Sequence, residues 1–168
     1  MNYETILEKS NVALFEKCNL KISNFEVDKE SKNYNACTFK LNNLKIIFRK
    51  AKITPTKIGQ FVTLWKRNKQ KITEPFSVSD EFDFVIIYVK AEHNSGQFVF
   101  PKSVLIENGI ISSDKKDGKR GFRVYPIWEI AINKQAIQTQ KWQLNYFVKA
   151  NSDEELDLNL INKLYQNN

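Results

Sequence analysis

Histidine occurs once in this sequence, as His93, and cysteine twice, as Cys18 and Cys37. Without a second histidine or a CxxC pair there is no conventional zinc or copper site, and only an all-carboxylate Mg²⁺ site stays open. Two cysteines at unrelated positions make no disulfide framework, so both read as small buried hydrophobes. His93 sits in Glu92-His93-Asn94-Ser95-Gly96, which is composed like a turn. No nucleophile-elbow motif accompanies it, so it reads as a solvated loop histidine rather than part of a Ser-His-Asp triad.

Glycine and proline are scarce, at five and four residues, while 42% of the chain is hydrophobic and 12% aromatic, which excludes a disordered polypeptide. No apolar run approaches the roughly 20 residues needed to cross a bilayer. Glu4 and Glu8 stand where a signal peptide would be basic and then apolar, so the expectation is a cytoplasmic protein. A single domain over residues 1–168 is expected, since a chain of about 150 residues already buries roughly 70% of its unfolded surface.

The most informative absence is of acid. Residues 31–73 contain no Asp or Glu, yet they hold Lys32, Lys40, Lys45, Arg49, Lys50, Lys52, Lys57, Lys66, Arg67, Lys69 and Lys71. A second basic run, Lys115, Lys116, Lys119, Arg120 and Arg123, is interrupted by Asp117 alone. The net charge of +7 is thus the remainder of a positive centre partly cancelled by acidic ends and by Glu74, Asp80, Glu81, Asp83 and Glu92.

Hydrophobic periodicity places elements along this charge pattern. Residues 3–17 carry Ile6, Leu7, Ala13 and Leu14 near one helical stripe. Residues 35–41 and 44–49, separated by Asn42-Asn43, predict a hairpin, and residues 59–66 predict a third strand meandering from it. Residues 82–89 and 96–100 predict a second hairpin, followed by a short helical turn over 102–107 and a strand over 121–125. Helices over 133–147 and behind a Ser152-Asp153-Glu154-Glu155 capping box finish the chain. Gly59-Gln60-Phe61-Val62 recurs as Gly96-Gln97-Phe98-Val99, a similarity that any strand entered after a turn can produce. The fold class is therefore α/β, a central mixed sheet flanked by helices.

A clustered positive field favours a polyanion, because each neutralised phosphate releases counterions. Trp65, Trp128 and Trp142 lie between or near the basic residues, which suits stacking on unpaired bases. If the strand bearing Lys66 meets the loop bearing Lys119 and Arg120, they form one groove with Arg67, Arg123, Lys141 and Trp142 at its edge, a partner surface for DNA or RNA. The competing reading is that alternating lysines are the solvated face of a sheet and the tryptophans belong to the core.

Four blocks carry a family resemblance: Ala51-Lys52-Ile53-Thr54-Pro55-Thr56-Lys57-Ile58-Gly59-Gln60-Phe61-Val62-Thr63-Leu64-Trp65-Lys66-Arg67, residues 96–102, Lys119-Arg120-Gly121-Phe122-Arg123-Val124-Tyr125-Pro126 and Thr139-Gln140-Lys141-Trp142-Gln143. Together they resemble the MepB family over nearly the whole chain. The resemblance implies a restriction-endonuclease-like α/β topology, with an early helix, a meandering sheet and helices on both sides. Nucleases of that class carry an Asp on one strand and Glu or Gln, any residue, then Lys on the next. That i, i+2 spacing sets both groups on one face to hold Mg²⁺ and the attacking water. Here Asp83 and Gln97 match, but Val99 stands where Lys is needed and Lys102 lies beyond Pro101. Tyr88-Val89-Lys90 has the lysine and lacks the carboxylate. The catalytic candidates are Asp83, Gln97 and Lys102, with Mg²⁺ a cofactor only if hydrolysis survives. The expectation is a nucleic-acid-binding protein on a nuclease-like scaffold with a degenerate centre. Two alternatives stay open: a Mg²⁺-dependent nuclease with migrated catalytic residues, and a small-molecule or partner-protein binding module in drug-stress physiology.

Overall fold

The run Phe84-Val85-Ile86-Ile87-Tyr88-Val89 offers water no polar face, and every one of these side chains is buried in the computed structural model, which describes residues 3–151 and 155–166. A strand apolar on both faces belongs inside a sheet covered on both sides. That strand, β8 (Phe84–Ala91), pairs in parallel with β3 (Leu44–Lys50) and antiparallel with β9 (Asn94–Pro101). Beyond β3 lie β2 (Cys37–Leu41) and then β1 (Ile22–Val27), and beyond β9 lies β11 (Phe147–Lys149), completing a mixed six-stranded sheet of order β1-β2-β3-β8-β9-β11.

Alternation along the strands divides the core between two faces. One face, with Phe39, Phe48, Phe84 and Ile86, packs on Leu14 and Phe15 of α1 (Lys9–Lys17) and on Ile161 and Leu164 of α4 (Leu158–Gln166). The other face, with Ile47, Val85, Ile87, Phe98 and Phe100, is covered by a second layer. That layer holds a three-stranded antiparallel sheet, order β10-β5-β4, made of β4 (Lys52–Thr54), β5 (Lys57–Thr63) and β10 (Gly121–Val124). Leu105 of α2 (Lys102–Glu107) and Trp142 of α3 (Lys134–Gln143) pack beside it. A ribbon of β6 (Trp65–Arg67) and β7 (Thr73–Pro75) extends from β5. The mixed α/β class read from the sequence is the one observed.

The third meander strand is placed differently from the expectation. β5 joins the second layer, because the slot beside β3 is taken by the doubly apolar β8 and Val62 and Leu64 are buried on the sheet's face instead. The expected helix over 133–147 ends as α3 and a 3-10 turn at Leu144–Tyr146. Phe147 and Val148, one for each face of the sheet, then continue as β11. Gly96 makes that pairing possible, since a Cβ there would stand 2.5 Å from the Phe147 ring. The first helix is also interrupted, with a 3-10 turn at Tyr3–Thr5 before α1. Ser152, Asp153 and Glu154 of the expected capping box lie outside the described residues, and Asp157 caps α4 by accepting from Leu160 N at 3.0 Å. The repeated Gly-Gln-Phe-Val does not repeat a role: Phe98 is buried in the core, whereas Phe61 faces away from it.

Few polar groups are buried, and the largest is Arg49. It donates to Asp28 Oδ2 at 3.2 Å and to Phe48 O at 2.9 Å, while its Nε meets no acceptor. Burial pulls its pKa down and the Asp28 carboxylate opposes that pull. Asp28 keeps about a third of its side chain in water, so the two halves of the pair are not equivalent. Asp28→Ala strands a buried cation and is expected to cost about 2–4 kcal/mol in urea unfolding. Arg49→Met leaves a carboxylate that water can reach, and should cost clearly less; equal losses would contradict this asymmetry.

Cys37 supplies a pH test. Burial pushes its thiol up to about 12, so the folded state retains a proton that the unfolded chain releases near pH 9. The associated stability is intact below about pH 9 and falls by about 1.4 kcal/mol per pH unit toward 12. Urea midpoints of the wild type and Cys37→Ala, compared at about pH 8 and about pH 10.5, should converge as pH rises; a constant gap would show the thiol to be solvated.

Candidate nucleic-acid interface

The small sheet has one face against the core and one toward solvent. Phe122, Val124 and Val62 turn inward and are buried, and Gln60 beside them donates to Lys90 O at 3.2 Å. The intervening residues must point outward. Register then lines up Lys52, Phe61 and Arg123 across the three strands, since Lys52 and Arg123 both pair with Phe61. Tyr34 meets Phe61 edge-on at 6.3 Å, and the Lys52 ammonium lies 5.1 Å from the Tyr34 ring centre. The Arg123 guanidinium lies 5.9 Å from the Phe61 ring. Gly59, at φ +80°, leaves room for the Tyr125 ring, which a Cβ there would approach to 2.7 Å. The outcome is an outward surface of half-buried aromatic rings bordered by cations.

Beside β10 this surface dips into a groove of 280 Å³ lined by Lys119, Arg123, Trp142, Gln135 and Thr139, among others. Gln143 closes the free edge of β10 as a neighbouring strand would, accepting from Tyr125 N at 2.9 Å and donating to Arg123 O at 2.9 Å. The groove therefore has a fixed wall.

The residues expected to bind nucleic acid fall into two groups. Lys119, Arg123 and Trp142 meet in the groove, and exposed Lys141 sits one position before Trp142 in the last turn of α3. Arg120 lies at the junction, where its backbone carbonyl accepts from Leu64 N and its guanidinium donates to Thr73 O at 2.9 Å. Arg67 pairs with that same Thr73, so the strand after β5 and the loop before β10 do come together.

Ion pairing nevertheless removes some of the positive field. Lys66 is held by Asp80 at 2.5 Å and Glu74 at 3.4 Å, and the hydrogen bond to Asp80 raises its pKa. Arg67 is paired with Glu30 at 2.7 Å, which raises the guanidinium and lowers the carboxyl, while its guanidinium stacks 5.4 Å from the Trp65 ring. Arg123 is committed locally as well, donating to Gly59 O at 3.1 Å and Thr54 Oγ1 at 2.7 Å. Trp142 is half-buried, its ring 5.4 Å from that of Phe100. The common face of Lys52, Lys57 and Phe61 follows from the register of β4 and β5, which the sequence alone does not give, and Tyr34 reaches Phe61 from outside the sheet.

Lys102 N donates to Asp83 O at 3.0 Å, so these two candidates are neighbours, but Gln97 does not join them. Gln97 pairs with Tyr88, five residues along the strand from Asp83, which separates them by about 16 Å. Asp83 Oδ2 accepts from Lys45 N at 2.7 Å, and Lys102 Nζ donates to the carbonyls of Val78 and Asp80. Gln97 is buried beneath α1, accepting from Asn11 Nδ2 at 2.7 Å and lying 3.4 Å from the Tyr165 hydroxyl, whose pKa burial drives up. These three residues do not fit a shared Mg²⁺ ion, and among the described residues no group of three His, Cys, Asp or Glu is placed to hold a metal.

Lys90 opens instead on a polar cleft of 520 Å³ that also takes in Glu8, Ser10, Tyr88, His93 and Asn94. There Lys50 pairs with Glu8 at 2.5 Å, and the Ser10 hydroxyl donates to that of Tyr88 at 3.3 Å. Among the described residues, no helix is long and apolar enough to cross a membrane.

A family model described as MepB-like matches residues 28–149. The crystal structure of MepB is similar over 89% of this chain and 100% of its own, at 36% identity and a TM-score of 0.77. A bacterial homing endonuclease aligns over 83% of this chain and 88% of its own at 15% identity and a TM-score of 0.47. No curated protein matches the chain.

The two cations of the groove should respond differently to removal. Arg123→Lys loses a fork that lysine cannot reproduce and should cost about 1–2 kcal/mol in urea unfolding. Lys119→Ala, with an exposed side chain, should stay within about 0.5 kcal/mol of wild type. The reverse order would mean that the bonds of Arg123 to Gly59 O and Thr54 Oγ1 do not hold the small sheet together.

Proposed function

The chain belongs to the MepB-like family, and from the outward face of its small sheet we propose that it binds nucleic acid through the phosphate backbone without hydrolysing it. The observation that carries this reading is the cross-strand row Lys52, Phe61 and Arg123, running into the groove of Lys119 and Trp142. Cations at that row and groove meet phosphates, and the half-buried rings between them supply flat apolar area against sugar and base. Exposed Lys57 and Arg120 extend the cationic border. Backbone recognition of this kind confers little sequence preference.

The reading without hydrolysis is supported by the separation of Asp83 from Gln97 and by the engagement of Lys102 with two carbonyls. An aspartate and a glutamine that far apart cannot hold one metal ion and its water between them. A small-molecule reading draws on the polar cleft of Glu8, Tyr88 and Lys90, where a ligand with one or two charges would bind with little salt dependence.

Fluorescence anisotropy with labelled DNA and RNA oligonucleotides over a salt series tests the proposal. Binding should be micromolar or weaker and fall steeply with salt, and Lys119→Ala with Arg120→Ala should lower the slope by about one for each phosphate-binding side chain removed. Lys66→Ala should leave the slope unchanged, because Asp80 and Glu74 already neutralise that ammonium. Added Mg²⁺ should produce no cleavage. Absence of binding at low salt would end this reading, and cleavage that disappears on Asp83→Ala would restore the nuclease.

A further inference from the structure

The loop from β10 to α3 is pinned by its polar side chains and presents its apolar ones to water. Gln140 Nε2 donates to Pro126 O at 3.1 Å and Glu129 O at 2.8 Å. Gly59 N lies 3.5 Å from the Glu129 carboxylate, and Asn133 Oδ1 accepts from Ala136 N at 2.8 Å to cap α3. On this fixed loop Ile127, Ile130 and Ile132 are 61%, 79% and 75% exposed, and Ile137 in α3 is 50% exposed. Single exposed isoleucines are ordinary, but four within residues 127–137 mark a contact surface.

The border of this patch selects its occupant. Lys134 and Lys141 flank Ile137 at helical spacings that put all three on one face of α3, and all are exposed. Lys57 lines a pocket with Ile132, Arg123 and Tyr125. Arg123 and Tyr125 also line the groove of Lys119 and Trp142, so the Ile132 end of the loop adjoins the cationic face. A second copy pairing about a two-fold axis would bring these border cations against one another. Nucleic acid has the complementary construction, anionic outside with flat apolar bases within.

We propose that the loop carrying Ile127, Ile130 and Ile132 is an apolar wedge that enters a base step of duplex nucleic acid held on the cationic face, an inference that rests on the nucleic-acid reading above. Aliphatic side chains inserted between base pairs partly unstack them and kink the duplex. The ligand class is then duplex with an easily opened step, such as a mismatch, where unstacking costs least.

The test uses a duplex carrying a fluorescent adenine analogue that stacking quenches, so that binding and unstacking are read by separate signals. Wild-type binding should raise the analogue's fluorescence, and a duplex with one mismatch should bind about threefold tighter or more. Ile130→Ser with Ile132→Ser, both surface changes, should abolish the rise and the mismatch preference while leaving the salt slope as it was. Wild-type binding without a rise, or a rise that survives the double substitution, overturns the wedge alone. Failure to bind any duplex while a single strand still binds overturns the wedge alone, and failure to bind either overturns the nucleic-acid reading as well. Sedimentation showing wild-type self-association that the double substitution abolishes would assign the patch to a second copy and overturn the wedge.

Discussion

The parallel pairing of β3 with β8 takes strands that are apolar on both faces out of water, and the other elements are disposed to cover them. Two layers result. Helices α1 and α4 close one side, while the small sheet with α2 and α3 closes the other. A helix can cover a sheet with one stripe and leave the remainder polar, but a covering sheet exposes a whole face. The acid-free segment supplies β4 and β5 of that sheet, so the lysines and rings it cannot bury are brought out on one side. The candidate interface is a consequence of how the central strands are covered.

Ion pairing then edits the charge that the fold displays. The acidic residues do not simply dilute a basic surface: Glu74 and Asp80 converge on Lys66, Glu30 takes Arg67, and Glu81 takes Lys45, which lowers the pKa of Glu81. Lys119 and Lys57, on the loop before β10 and at the start of β5, are exposed beside the groove and the adjoining pocket. Formal charge along the chain therefore overstates the positive field near β6 and describes it better around β5 and β10.

How far the sequence could be read depended on whether the deciding interaction was local. The hairpin of β2 and β3, the hairpin of β8 and β9, α2 and β10 follow from alternation and turn residues within a short window, and the structure has them. β1 was missed because Asn24 at φ 50° and a register shift between Ser23 and Glu26 break its alternation. β11 was missed because Phe147 and Val148 also suit the end of a helix, and only the space above Gly96 decides otherwise. For the site, the expected groove depends on the strand bearing Lys66 meeting the loop bearing Lys119 and Arg120, and Lys119, Arg123 and Trp142 do line one groove. The neutralisation of Lys66 and the carbonyl partners of Arg123 depend on residues distant in sequence, which one sequence does not pair.

Lysine footprinting tests the location of the interface most directly, by comparing acetylation rates with and without an unlabelled oligonucleotide at low salt. On the present account, Lys52, Lys57 and Lys119 are protected, while Lys9 and Lys17 of α1 and Lys163 of α4, on the opposite layer, react at unchanged rates. Protection confined to Lys9 and Lys90 at the polar cleft, or spread evenly over both layers, would contradict a binding face built on the small sheet.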